Sequence, residues 1–125
     1  MFARKVSMHL KPNSAAELTQ RVEKEIFPLL RKQKGFQDQI TFVAPGGREA
    51  FEISLWDKAE NAEAYNRGTY QEVLKILARV VEGTLQVETY EVSNWFFYTY
   101  RRREDAAGVG PHGPGEPPPD DDDGS

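Results

Sequence analysis

Residues 36–56, FQDQITFVAPGGREAFEISLW, decide the fold. Two strand-like runs, Phe36 to Ala44 and Glu49 to Trp56, flank Pro45-Gly46-Gly47-Arg48, residues that fix or free φ as a tight turn requires. They read as an antiparallel hairpin. Neighbours along a strand point to opposite faces, so Ile40 and Phe42 separate from Gln39, Thr41 and Val43, and Phe51, Ile53 and Leu55 separate from Glu52, Ser54 and Trp56. The apolar members define one clean face.

Before the hairpin, Arg4, Val6, Met8 and Leu10 alternate with Lys5, Ser7 and His9, the period of a strand that Pro12 closes. Ser14-Ala15-Ala16-Glu17 has the form of a capping box, and Leu18, Val22, Ile26 and Leu29 or Leu30 follow at helical spacing to about Gly35. Pro28 lacks an amide donor and crowds the preceding turn, which predicts a kink or break near Glu25 to Phe27. After the hairpin, Asp57-Lys58-Ala59-Glu60 and Thr69-Tyr70-Gln71-Glu72 resemble two further capping boxes, with Gly68 between them. This predicts a helix in two pieces, the second presenting Tyr70, Val73, Leu74, Leu77, Val80 and Val81 and stopping at Gly83. A last strand starts near Thr84, and the parity change between Leu85 and Val87 and then Tyr90 and Val92 predicts a bulge or a change of packing partner. The order β-α-β-β-α-β implies an α+β, ferredoxin-like domain, with helices on one face of a four-stranded antiparallel sheet.

The sequence divides into a domain over 1–103 and a tail over 104–125. All 16 basic residues lie in the first part, against 13 acidic ones, whereas the second holds seven acidic residues and no basic one. The Pro/Gly-rich acidic tail has almost nothing to bury and is expected to be disordered. With no cysteine, thiolate chemistry is excluded, and His9 and His112 alone make a zinc site improbable. No metal or cofactor site is expected. The N-terminus lacks an apolar signal region and no stretch is long and apolar enough for a membrane span, so the expected compartment is the cytoplasm.

Helices on one side leave the sheet's other face in need of water or a partner. The final strand runs on through Ser93-Asn94-Trp95-Phe96-Phe97-Tyr98-Thr99-Tyr100, whose rings would form a large apolar patch on a lone subunit. A homodimer, with this arm lying against the second copy and Arg101-Arg102-Arg103 marking its exit to solvent, is the economical reading. Nucleic acid is disfavoured as a partner, because Lys5 to Leu10 of the first strand carries no aromatic and residues 48–53 lack the third-strand pattern of RNA-recognition modules. The aromatic arm and its arginines leave only a small case for single-strand binding.

Pro28 to Phe36, Leu55-Trp56-Asp57 with the Ala/Glu-rich helix to Tyr65, and Val87-Glu88-Thr89-Tyr90-Glu91-Val92 resemble antibiotic biosynthesis monooxygenase domains of the dimeric α+β barrel group, over about residues 2–94. The resemblance implies two sheets packed face to face, helices outside, and a small pocket between helices and sheet. It also implies that Val6, Met8, Ile40, Phe42, Phe51, Ile53 and Leu55 fill the barrel. Ser7, His9, Thr41, Glu52, Ser54 and Trp56 would then face Tyr65, Tyr70 and Leu74 across the pocket. Some members oxidise quinols or anthrones with O₂ and no cofactor, and some degrade haem.

Positions matching the haem-degrading branch's Asn, Trp and His hold Lys5, Tyr65 and Lys75, so the proximal imidazole is missing and haem oxygenation is disfavoured. The cofactor-free branch keeps an Asn four residues before the third-strand Trp; here Glu52 stands there and Trp56 is present. That chemistry needs a base and a dry aromatic cradle for a carbanion, an electron-rich aromatic small molecule being the implied partner. His9 and Glu52 are the candidate bases, with Ser7, Thr41, Ser54, Trp56, Tyr65, Tyr70 and Leu74 as substrate-binding candidates. The competing readings are a solvated or structurally bonded His9, a cross-strand pair of Glu52 with Lys5 or another cation, and rings that only pack. A non-catalytic dimeric module that binds a ligand or a protein is the alternative function.

Overall fold

The structure, a computed structural model, describes residues 1–96. Its elements are β1 (Phe2–Leu10), α1 (Ala15–Arg21), a π-helical turn (Val22–Ile26), α2 (Phe27–Arg31), β2 (Phe36–Val43), β3 (Glu49–Trp56), α3 (Ala59–Arg67), α4 (Tyr70–Leu77) and β4 (Val81–Glu91). The strands form one antiparallel sheet in the order β2-β3-β1-β4. The hairpin, the β-α-β-β-α-β order and the helical layer are those the hydrophobic pattern predicts. Among the described residues, no helix is long and apolar enough to cross a membrane, and no cluster of metal-binding side chains occurs.

The core lies between the helices and one face of the sheet. Leu10, Leu18, Ile26, Trp56 and Val80 are fully buried there, with Val6, Met8, Leu30, Ala50, Val73 and Leu77 around them. Directly opposed residues share a face, and the pairing of β1 with β3 sets Val6 against Glu52 and Met8 against Ala50. This corrects the expected sorting of side chains. The apolar residues of β1 face the helices together with Glu52, Ser54 and Trp56, whereas Ile40, Phe42, Phe51, Ile53 and Leu55 face the other way. Ser7 and His9, expected in the pocket, pair with Phe51 and Glu49 and lie on the far face. Each strand keeps its apolar residues together, but the register puts those of β1 and those of β3 on opposite sides.

The far face is therefore partly apolar as well. Phe42 stacks on Phe51 with ring centroids 4.6 Å apart, the Lys5 ammonium sits 4.7 Å from the Phe51 ring centre, and Ile40 and Tyr90 are each 49% exposed.

Helices α1, α3 and α4 start at or within one residue of the expected capping boxes, yet no side chain makes the cap hydrogen bond. The Ser14 hydroxyl turns back to the Pro12 carbonyl, and Glu17 instead accepts from Arg21 one turn on. Thr69 accepts from Gln33 Nε2 at 3.2 Å, tying α4 to the end of α2, while Lys58 rather than Asp57 precedes α3. The kink expected before Pro28 takes the form of the π-helical turn, in which the Phe27 amide donates to the Val22 carbonyl. The last helix ends at Leu77, and Gly83 lies inside β4 with φ +74°, where the pairing slips between Ser7–Gln86 and His9–Glu82. From Gln86 to Glu91 the register is unbroken, so Val87 and Tyr90 differ in parity because they face opposite sides. The strand stops at Glu91 instead of running on to Tyr100; Phe97–Tyr100, the arginine run and the acidic tail lie outside the described residues.

Gly35 joins the two halves of the fold. Its carbonyl accepts from the Asp57 amide at 2.9 Å, its φ is +82°, and a Cβ there would collide with Asp57 and Asn61, which are themselves hydrogen-bonded at 2.8 Å. Gly35→Ala is expected to lower stability by about 2 kcal/mol, since the strained φ and the clash act together. A urea denaturation midpoint equal to that of the parent would contradict this.

Candidate functional site

Rings form a continuous chain beneath the helices. Phe27 meets Phe36 edge-on at 6.0 Å, Phe36 meets Trp56 at 5.6 Å, Trp56 leans on Tyr65 at 5.1 Å, and Tyr65 on Tyr70 at 5.7 Å. The last residue of β3 supplies Trp56, and the two pieces of the broken helix supply Tyr65 and Tyr70, so the turn at Gly68 places both tyrosines over the sheet. Trp56 Nε1 donates to Ser54 Oγ at 2.9 Å, which satisfies the indole inside the core. Arg4 caps the chain. Its guanidinium lies 4.1 Å from the Tyr70 ring centre and 5.3 Å from that of Tyr65, and Nη2 donates to Asn66 Oδ1 at 2.5 Å.

Glu52 stands on β3 beneath this cap, beside Thr41 on β2 and Val6 on β1. Burial pushes its carboxyl up to about 7, against the lowering influence of Gln39 and Arg4. Neither neighbour satisfies the whole group, because Oε2 is sealed from solvent and has no hydrogen-bond partner. The Tyr70 hydroxyl is orphaned in the same way, and burial raises both tyrosines above the usual phenol range. Arg4, Gln39, Glu52, Ser54, Tyr65 and Tyr70 line a gap of only about 10 Å³. That is room for one water at most, which needs about 10–15 Å³.

A second space opens on the other side of Arg4. It is a groove of about 350 Å³ between α3 and the β1–β4 pair, with Phe2, Ala62 and Val87 as its apolar lining and Arg4, Asn66 and Thr89 as polar groups. Arg4 is the residue common to both spaces.

Of the residues singled out in the sequence, Thr41, Glu52, Ser54, Trp56, Tyr65 and Tyr70 come together on the helix side, and Leu74 packs against the same core. Ser7 and His9 do not. The His9 imidazole is about two-thirds exposed and Nδ1 lies 3.3 Å from Glu49 Oε2. Lys5 shares that far face, so the expected Glu52–Lys5 pair does not form. Sequence reasoning missed Arg4, Gln39 and Asn66 as members of the site. Arg4 carried a signal: it alternates in phase with Val6, Met8 and Leu10, a charge on a buried face.

No protein-family model and no curated protein matches the sequence. Solved structures match the fold. A protein of unknown function from Nitrosomonas europaea superposes with a TM-score of 0.64 at 16% identity, over 78% of this chain and 93% of that one. A Deinococcus radiodurans protein, assigned by resemblance as an antibiotic biosynthesis monooxygenase, gives 0.64 at 14% identity over 78% and 98%. A Streptomyces coelicolor monooxygenase, crystallised with nanaomycin D, gives 0.63 at 14% identity over 78% and 91%. Strand order, helix placement and these superpositions agree that the chain has the α+β, ferredoxin-like fold of the antibiotic biosynthesis monooxygenases.

Proposed function

We propose that the protein is a cytoplasmic homodimer that removes a proton from an electron-rich aromatic small molecule, of quinol or anthrone type, for reaction with O₂ without a cofactor. The observation that carries this reading is Glu52, a sealed carboxyl with a free oxygen in a gap it shares with Tyr65 and Tyr70. A carboxylate accepts a proton best when its own affinity lies near the working pH, and burial brings Glu52 there. In an anthrone, Glu52 would take a proton from the ring methylene. The carbanion then reduces O₂ and forms a C–O bond, and the hydroperoxide loses water. Overall, CH₂ and O₂ become C=O and H₂O. Thr41, Ser54, Trp56, Tyr65, Tyr70 and Leu74 would surround the ring system, and entry would require Arg4 to swing out, because the gap over Glu52 is so small.

Oxygen uptake with a panel of quinols and anthrones tests this. Uptake should rise with pH through about 7 as Glu52 ionises, and Glu52→Gln should lower it by about 100-fold or more at pH 8. His9→Ala should leave it unchanged, since that imidazole lies across the sheet. Undiminished uptake in Glu52→Gln removes the base assignment.

The dimer is part of the same proposal. Among the described residues, Ile40, Phe42, Phe51, Ile53 and Leu55 make a face opposite the helices, and a second sheet laid on it would close a barrel. Sedimentation as a monomer at micromolar concentration would refute it. One observation favours the second reading, a non-catalytic dimeric module that binds a ligand or a protein: the space beneath the helices is nearly filled by side chains. Absence of uptake across the whole panel would select that module.

A further inference from the structure

Arg4 is 3% exposed, yet among the described residues no carboxylate lies within 4 Å of its guanidinium. Its partners are neutral: Asn66 Oδ1 and the faces of Tyr65 and Tyr70. Glu52 is near enough to feel this charge but makes no ion pair with it, and a buried cation without an anion in contact forfeits hydration that only a paired charge restores fully. An anionic ligand would complete such an arrangement. The guanidinium presents five N–H donors in a planar fork, and the single hydrogen bond to Asn66 uses only part of that capacity.

The groove beside it supplies the rest of a site. Its volume of about 350 Å³ lies at the small end of ligand pockets, of the order of 300–1,000 Å³. Phe2, Ala62 and Val87 offer an apolar lining, whereas Glu60 and Glu63 on α3 stand at its exposed side. An apolar ring fits against the first set. The two glutamates repel a ligand with negative charge spread over its length, so the anion must be single and must reach the inner end.

We infer that the groove between α3 and β4 binds an aromatic acid with one carboxylate, which Arg4 receives as a two-pronged hydrogen-bonded pair in place of Asn66. Arg4 is then the residue that sets specificity for an acid over its neutral ester or a cationic analogue. Because Arg4 also closes the gap over Glu52, pulling it toward the groove loosens the cap on Tyr70. The inference builds on the small-molecule reading above but is independent of its oxygen chemistry.

The probes are 2-naphthoate, its methyl ester and 1-naphthylmethylammonium, titrated into the full chain by calorimetry and by amide chemical-shift mapping. The acid should bind at least about tenfold more tightly than the ester, with shifts at Asn66 and Thr89. Arg4→Met, which keeps the length and apolar packing of the stem, should bring acid and ester to equal affinity. If that variant does not fold, Asn66→Asp serves instead: it gives Arg4 a permanent anion, and the acid should lose its advantage. Equal binding of acid and ester by the parent, tighter binding of the ammonium probe, or an undiminished acid preference in either variant overturns the inference. Acid binding with no oxygen uptake from any substrate would overturn the oxygenase proposal alone; uptake without acid preference would overturn this one alone.

Discussion

Trp56→Ala should remove about 3–5 kcal/mol of stability, the largest loss expected from any single side chain here. Trp56 is fully buried, touches Phe36 on one side and Tyr65 on the other, and links the hairpin to the broken helix. Truncation leaves a void at the crossing of two ring contacts, and Ser54 loses its indole donor. Both terms act in the same direction. Trp56→Phe separates them, since it keeps a ring but not the N–H, and should cost about 1–2 kcal/mol. A Trp56→Ala protein within about 1 kcal/mol of the parent in urea would show that the ring chain is not a packed core. Removing the exposed His9–Glu49 pair with His9→Ala should change stability by less than about 0.5 kcal/mol, a useful control.

The second large effect is on pH dependence. Glu52 has an ordinary value of 4.5 and is held at about 7 in the folded chain. Between those two values the folded state keeps a proton that the unfolded state has released, so rising pH favours unfolding there. The contribution is fully present below pH 4.5, declines through the interval and is gone above about 7. At about 1.4 kcal/mol per pH unit the full span is of the order of 3 kcal/mol. Asp57, held below its usual value of 3.8 by the Asn61 hydrogen bond, pulls the opposite way but below this interval, its stabilisation being lost only as pH falls under 3.8. The informative quantity is therefore the parent compared with Glu52→Gln. The parent should lose stability relative to the variant between pH 5 and pH 8, and a constant difference in urea midpoints over that range would show that Glu52 is ionised at ordinary pH.

The strands and helices could be read from residue spacing because each element needs only local information. Alternation in 2–10 and in 36–56, and four-residue spacing from Leu18 onward, depend on which positions along one element are apolar. Which face of the sheet each apolar set occupies depends on pairing between strands, and nothing local fixes it. Val6 and Ile53 look alike in sequence, yet the pairing of Val6 with Glu52 sends them to opposite sides. The same gap explains the site. Glu52, Ser54 and Trp56 were legible as a polar-faced set on one strand, but grouping them with Ser7 and His9 assumed a register. Asn66 gave no sign at all, since its role exists only because α3 brings it to Arg4 across a separation of 62 residues.

The π-helical turn before Pro28 settles a question of length. Leu18, Val22, Ile26 and Leu30 are all buried and recur every four residues. In a plain α-helix, four residues overshoot one revolution by about 40°, so such a series would wander about 120° from its first member to its last. A turn closed by the longer Phe27-to-Val22 hydrogen bond winds more slowly and takes up much of that drift. The surplus residue that makes the wide turn and the proline that follows it thus belong to one solution. With one residue fewer, the same apolar positions would suit an unbroken α-helix, and Pro28 would have no place to sit.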